Sequence, residues 1–323
     1  MRILSGIQPS GTLHLGNYLG AMKQHLELQT QHECFYFIAN LHSLTTIHDA
    51  ERLRKLTLDV ALDYLTLGLD PQRVTFFRQS DVPEVTELAW ILSTVTGKGL
   101  LERAHSYKDK MAKGLPVNMG LFSYPLLMAA DILIYLSNEV PVGRDQVQHI
   151  EMTQDMAEYF NNTYKPVFIR PEPRLNEAPV VPGIDGQKMS KSYGNIIEIF
   201  GEPKAMRKKI MSIKTDSTPV EEPKHPETDN VFALLKLLAS PEETADWERR
   251  YRAGGMGYGE AKQRLFELYE AKFGPLREVR ADWAKRPDEV EDILSAGGRR
   301  ARAIARDVMA QVRDACGIVV SRE

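Results

Sequence analysis

Residues 2–39 read RILSGIQPSGTLHLGNYLGAMKQHLELQTQHECFYFIA, and their reading decides the fold. Residues 3–7 form a short, mainly apolar run of the kind that sits as a buried strand. The turn formers Gln8-Pro9-Ser10-Gly11-Thr12 follow. A helical pattern then covers about residues 15–29. Cys34 opens CFYFIA at 34–39, rich in aromatics, which predicts a second strand. Strand, helix, strand at this spacing is a parallel crossover unit.

The same alternation continues downstream. Asp49 stands where it caps a helix whose Leu53, Leu56, Val60, Tyr64 and Leu67 recur at helical spacing. Gly68 and Pro71 stop that helix, and residues 74–77 are the next strand. Asp81-Val82-Pro83-Glu84 opens another helix, with proline in its first turn. Residues 101–160 read as mainly helical, 165–169 as a further strand, and the Pro- and Gly-containing 171–186 as a linker. Beyond it the chain is almost entirely helical. The expected fold is α/β: a Rossmann-like doubly wound parallel sheet followed by a mainly helical C-terminal domain, with domains at 1–186 and 187–323.

Composition narrows the class. The 323 residues are 43% hydrophobic and 26% charged, with 41 Lys and Arg against 44 Asp and Glu and a formal charge of −3. That excludes holding nucleic acid by bulk positive charge but not by a local basic face. Two such faces are candidates: Arg299, Arg300, Arg302, Arg306 and Arg313 near the end, and Lys204, Arg207, Lys208, Lys209 and Lys214. Two cysteines, Cys34 and Cys316, make neither a disulfide framework nor a cysteine zinc site, which predicts a reducing compartment, the cytoplasm. No signal peptide or bilayer-spanning run is expected, because residues 121–135 are too short to span and carry Asp131.

Two strings carry chemistry. Pro9-Ser10-Gly11-Thr12-Leu13-His14-Leu15-Gly16-Asn17 occupies the first strand-to-helix turn, where ligands of open α/β sheets bind and helix N-termini favour phosphate. Gly16 lets a base or phosphate approach the backbone, and His14 and Asn17 can donate to phosphate oxygens. A plain βα loop reads equally well from this string alone. The second, Lys188-Met189-Ser190-Lys191-Ser192, follows Pro182-Gly183-Ile184-Asp185-Gly186. Its lysines can neutralise charge growing on a departing pyrophosphate; taken alone, it is a solvated basic loop.

Together and in this order, the two strings resemble the HIGH and KMSKS signatures of class I aminoacyl-tRNA synthetases. The chain is similar to the tryptophanyl branch in Gly6-Ile7-Gln8-Pro9-Ser10-Gly11, in residues 124–133 (YPLLMAADIL) and in 140–149 (VPVGRDQVQH). The stretch 204–217, ending Thr215-Asp216-Ser217, also resembles the family.

The resemblance implies that Gln8, Pro9, Ser10, Gly16, Asn17, Gly143, Arg144, Asp145 and Val181 contact ATP, along with Lys188, Met189, Ser190, Lys191 and Ser192. It makes Lys188, Lys191, Lys110 and His14 the catalytic set. Asp131 matches the carboxylate that accepts the indole N–H of tryptophan, with Gln8, Tyr124, Met128 and Gln146 completing the pocket. Indole has one donor and no acceptor, so a lone buried acceptor would penalise phenylalanine. Read without the family, Asp131 is a buried helix residue paired with a nearby base. The chain departs from the family at Asn17, which replaces the final His of HIGH, at Asn40 and Leu4, where Asp and an aromatic are common, and at Arg144, where an acid is frequent.

The implied reaction is attack of the tryptophan carboxylate on the α-phosphorus of ATP, then transfer to a ribose hydroxyl of tRNA(Trp). The nucleophile is already ionised, so no general base is required. Mg²⁺ is expected on the phosphates, with no all-protein metal site. A homodimer, with residues 101–160 at its interface, is implied as well. The rivals are a tyrosyl-tRNA synthetase, a small-molecule nucleotidyltransferase and a duplicated synthetase with a binding or regulatory role.

Overall fold

The computed structural model describes residues 1–104, 107–108, 111, 118–175 and 180–319. Lys110 lies outside the described residues. Five strands, β1 (Arg2–Ile7), β2 (Glu33–Ile38), β3 (Thr75–Arg78), β4 (Glu139–Val142) and β5 (Glu172–Leu175), form one sheet in the order β3-β2-β1-β4-β5. Every pairing is parallel. The doubly wound α/β sheet is therefore present, and its order reverses between β1 and β4, where ligands of such sheets bind.

Helices α1 (Leu15–Asn17), α2 (Lys23–Leu28), α3 (Asn40–Ser43), α4 (Ala50–Thr66), α5 (Glu84–Val95), α6 (Lys98–Glu102), α7 (Met119–Leu133) and α8 (Val147–Thr163) accompany the strands. Asp49 caps α4 by accepting the Arg52 amide. The expected continuous helix over 15–29 is interrupted by a π-helical turn, Tyr18–Met22. Five helices follow: α9 (Pro203–Met211), α10 (Asn230–Leu238), α11 (Pro241–Ala253), α12 (Tyr258–Ala284) and α13 (Pro287–Cys316). No described helix is long and apolar enough to cross a membrane.

The chain forms two compact units. The first is Met1–Ser10, Gln24–Asn176 and Arg286–Glu323; the second is Gly11–Lys23 and Glu177–Lys285. The core of the first unit is mainly aliphatic, with aromatic rings set through it. Phe35 stacks on Tyr135 at 5.4 Å, and Phe37 meets Phe77 at 5.9 Å. Rings of this size bury area worth a few kcal/mol each, on the order of 25 cal/mol per Å².

Three expectations are corrected. The strand at 165–169 is absent, because Asn161 takes over its backbone groups. The Asn161 side chain accepts from the Val167 and Phe168 amides at 2.9 and 3.0 Å and donates to the Phe168 carbonyl at 2.8 Å. The edge strand β5 instead begins at Glu172, inside the expected linker, and tolerates Pro173 because it has one neighbour. Within the stretch expected to be helical lies β4, whose Pro141 conceals it.

The third correction concerns the terminal arginines. Helix α13 packs on β3 in the first unit, so closely that a Cβ at Gly297 would lie 1.8 Å from the Phe76 carbonyl oxygen. Arg302 pairs with the buried Glu84 at 2.8 Å, as does Arg306 at 3.4 Å, and Arg313 binds Glu87 at 2.7 Å. Arg300 donates to the carbonyls of Pro71 and Val74. Three of the five arginines that read as suited to phosphate thus fasten this helix through ion pairs, while Arg299 is exposed.

Candidate active site

In the first unit, a cavity of about 580 Å³ opens at the carboxyl end of β1, beside the switch point. Helix α7 presents Tyr124, Met128 and Asp131 to it, spaced i, i+4 and i+7 on one face. Gln8 and Ser10 come from the loop after β1, and Gln146 from the turn before α8. The structure thus brings together every residue expected for the amino acid. Leu4, noted as a departure, also lines the cavity.

Asp131 is the most constrained of them, at 2% exposure. Gln79 Nε2 donates to both of its oxygens, at 3.0 and 2.8 Å, and His42 Nε2 lies 3.0 Å from Oδ2. The orientation of the Gln79 amide is forced, because its Oε1 accepts the backbone N–H groups of Leu41 and His42 at 3.0 and 3.2 Å. Burial raises the Asp131 pKa, and the hydrogen bonds from His42 and Gln79 oppose that rise. The outcome is a carboxylate fixed in direction by donors, with acceptor capacity remaining for one more N–H. Pairing with a nearby base, His42, is thus part of the geometry.

A second chain of contacts runs along the cavity wall. The Tyr124 hydroxyl meets His149 Nε2 at 2.5 Å, and His149 Nδ1 meets Gln146 Oε1 at 2.9 Å. Gln146 Nε2 in turn donates to Asp145 Oδ2 at 3.2 Å. With Nδ1 carrying the imidazole proton, every bond runs in one direction from Tyr124 to Asp145. Gly143, Arg144 and Asp145 stand at the carboxyl end of β4, where α8 begins.

The second unit holds the first signature string from Gly11 onward and the whole of the lysine string. Residues 13–15 are fastened antiparallel to 197–199: Leu15 N donates to the Ile197 carbonyl at 2.9 Å, and Ile199 N to that of Leu13 at 3.3 Å. His14 is 6% exposed, and its Nδ1 is buried without a hydrogen-bonding partner among the described residues. Burial, then the Lys191 charge, lowers its pKa to about 4. It is a neutral imidazole at neutral pH. The Asn17 Oδ1 accepts the His14 amide at 3.2 Å, which leaves the amide's NH₂ as the end able to donate outward.

The lysine string lies on a hairpin. Pro182 and Lys188 form an antiparallel bridge, and Met189 N donates to the Val181 carbonyl at 2.9 Å. Val181 and Met189 are both buried, so they anchor the hairpin. Lys188 and Ser192 are exposed, and Lys191 Nζ donates to the Gly11 carbonyl at 2.9 Å. Ser190 and Ser192 share a hydroxyl contact at 2.8 Å.

The hairpin's keystone is Asn195, only 2% exposed. It accepts the Ser190 amide at 2.7 Å and donates to Asp185 at 2.8 Å and to the Lys188 carbonyl at 3.2 Å. A Cβ at Gly183 would lie 2.3 Å from its side chain, so only glycine fits there. The Asn195 hydrogen bond is the main cause holding the Asp185 carboxyl below its ordinary pKa.

The sequence reading missed His42, Gln79, His149 and Asn195. Gln79 had a signal, since it follows β3 directly at the carboxyl edge where ligands gather. Asn195 had none: its partners are five to ten residues away, and their convergence depends on the turn itself.

The family model for tRNA synthetases class I (W and Y) matches residues 1–274. A tryptophan–tRNA ligase from Rhodopirellula baltica is 52% identical, across 98% of this chain and 100% of that one. One from Fusobacterium nucleatum is 51% identical, with 98% of each chain covered. The crystal structure of tryptophanyl-tRNA synthetase from Campylobacter jejuni complexed with ADP and tryptophan superposes with a TM-score of 0.92 at 49% identity, covering 98% of this chain and 100% of that one. With a matched span that includes both signature strings and the Asp131 helix, the chain belongs to the tRNA synthetases class I (W and Y).

Proposed function

We infer that the chain is a tryptophan–tRNA ligase, which activates L-tryptophan with ATP and transfers it to tRNA(Trp). The observation that carries the substrate is Asp131, a buried carboxylate held by donors in a cavity with Tyr124 and Met128. A phenol needs a partner for a group that both donates and accepts; an indole needs only an acceptor.

In this reading Asp131 takes the indole N–H, and Gln8, Tyr124, Met128 and Gln146 complete the pocket. Gln79 and His42 aim the carboxylate. The adenine and phosphates of ATP meet Gln8, Pro9, Ser10, Gly16, Asn17, Gly143, Arg144, Asp145 and Val181, with Met189, Ser190 and Ser192 beside them. The tryptophan carboxylate attacks the α-phosphorus in line. Lys188, Lys191 and Lys110 neutralise the charge growing on pyrophosphate, and His14 donates as a neutral imidazole. A hard ion such as Mg²⁺ suits phosphate oxygens and water.

The division at 1–186 and 187–323 is proposed in the same sense: the first part is the catalytic domain, and the second carries the lysine loop that serves activation together with the helical tRNA-binding segment. A homodimer is proposed too, and the 71% exposed Trp90 on α5 is an indole face that a second copy would cover. The two unbridged cysteines support a cytoplasmic location.

Exchange of labelled pyrophosphate into ATP, run separately with each amino acid, tests the reading. Exchange with tryptophan alone is expected. Exchange with tyrosine would keep the mechanism and overturn the role of Asp131.

A further inference from the structure

Helix α9 buries Met206 and Ile210, one turn apart, and turns Lys204, Arg207 and Lys208 to solvent. The three cations stand at i, i+3 and i+4, so they share one face. Like charges at this spacing repel and destabilise an isolated helix. Here the helix is secured by other means: Glu202 caps its N-terminus by accepting the Ala205 amide at 2.8 Å, and Pro203 occupies the first turn. Exposed Lys214 extends the basic stretch beyond the helix end.

Among the acids nearby, Glu202 at the helix start feels the charge of Lys204. Arg207 donates to Gln263, a neutral amide, at 3.1 Å. Helix α12, packed against α9, carries five carboxylates, Glu260, Glu267, Glu270, Glu278 and Asp282; Glu260, Glu267 and Glu270 are held by Arg250, Arg264 and Arg277 rather than by Arg207, and Asp282 by Lys285. Glu198 is taken by Lys209, which points off the exposed face. In α13, by contrast, Arg302, Arg306 and Arg313 are tied to Glu84 and Glu87, and Arg300 donates to backbone carbonyls, while Arg299 is exposed. Most of the α13 charge is thus engaged within the fold, whereas Lys204, Arg207 and Lys208 of α9 all face solvent.

We propose that the exposed face of α9, made by Lys204, Arg207 and Lys208, is where the phosphodiester backbone of tRNA is held. The proposal rests on the ligase reading, which supplies an RNA substrate. Phosphates three to four helical residues apart in reach relieve the mutual repulsion of the cations, and binding by such contacts is independent of base sequence and weakened by salt.

The test compares the native chain with Lys204→Ala/Lys208→Ala and Lys204→Gln/Lys208→Gln. Dissociation constants for tRNA(Trp) are measured over a salt series, alongside tryptophan-dependent pyrophosphate exchange. The expected result is weaker tRNA binding in both double variants, with the slope of log affinity against log salt reduced by about one per lysine, and exchange unchanged. Unaltered tRNA affinity and salt slope in variants that retain exchange overturn the proposal. Absence of tryptophan exchange in the native chain would instead sink the ligase reading, while the tRNA titration would still decide the surface.

Discussion

In the Asp131 cavity the polar side chains are locked to one another; in the hairpin over 181–195 the frame is locked, Lys191 reaches from it to the Gly11 carbonyl and Lys188 is exposed. Gln79, His42 and Asp131 hold each other at 2.8–3.0 Å. Asn195, Asp185 and the backbone of Ser190 do the same for the hairpin, yet Lys188 stands exposed. The difference follows from what each region meets. An indole has the same single donor before and after reaction, so its acceptor is best fixed in advance. The extra negative charge on the leaving pyrophosphate develops only as the bond breaks, so it needs cations held on a shaped loop.

Lys191→Ala tests this contrast most severely. Adenylate formation is expected to fall about 10²- to 10³-fold, the scale of one lost transition-state contact, while tryptophan affinity measured at equilibrium stays near native. Equal losses in both would erase the distinction between the regions. Asp131→Ala should do the reverse: KM for tryptophan rises roughly 10- to 100-fold from one unpaired buried donor, with a smaller change in kcat. An unchanged KM would take Asp131 out of recognition.

Asn195→Ala sharpens the comparison from the frame side. Loss of its contacts loosens the loop without touching the tryptophan cavity, so kcat for exchange is expected to fall about tenfold at constant tryptophan KM. Asn195→Asp, equal in shape but unable to donate to Asp185, should be no better. The smallest effect is expected from pH at His14. Its folded pKa of about 4 lies below the ordinary 6.5. The unfolded chain therefore binds a proton that the folded chain refuses between those values, and acid in that window favours unfolding. An NMR titration of His14 should show no protonation down to pH 5; a midpoint near 6.5 would contradict its burial.

The outline of both regions was legible early because each rests on local pattern. The turn after residues 3–7, the helical face of Tyr124, Met128 and Asp131, and the lysine string are all contiguous or periodic in sequence. What escaped was set by distance and by backbone geometry. Gln79 serves Asp131 from 52 positions away. The false strand at 165–169 has strand-like residues, but Asn161 claims its amides. The arginines of α13 carry the composition of a phosphate-binding helix, and only their partners Glu84 and Glu87, more than two hundred residues earlier, show where that charge goes.

Gly297 has a consequence for how the molecule is made. The helix that covers β3 is encoded after residue 286, whereas β3 itself ends at Arg78. On the ribosome, the first unit must wait with that flank of its sheet uncovered while all of 177–285 emerges and is free to fold. A methyl group at 297 would bar the late helix from its seat at the Phe76 carbonyl. Gly297→Ala should therefore leave nascent chains waiting for a cover that cannot dock, and its signature would be aggregation during synthesis.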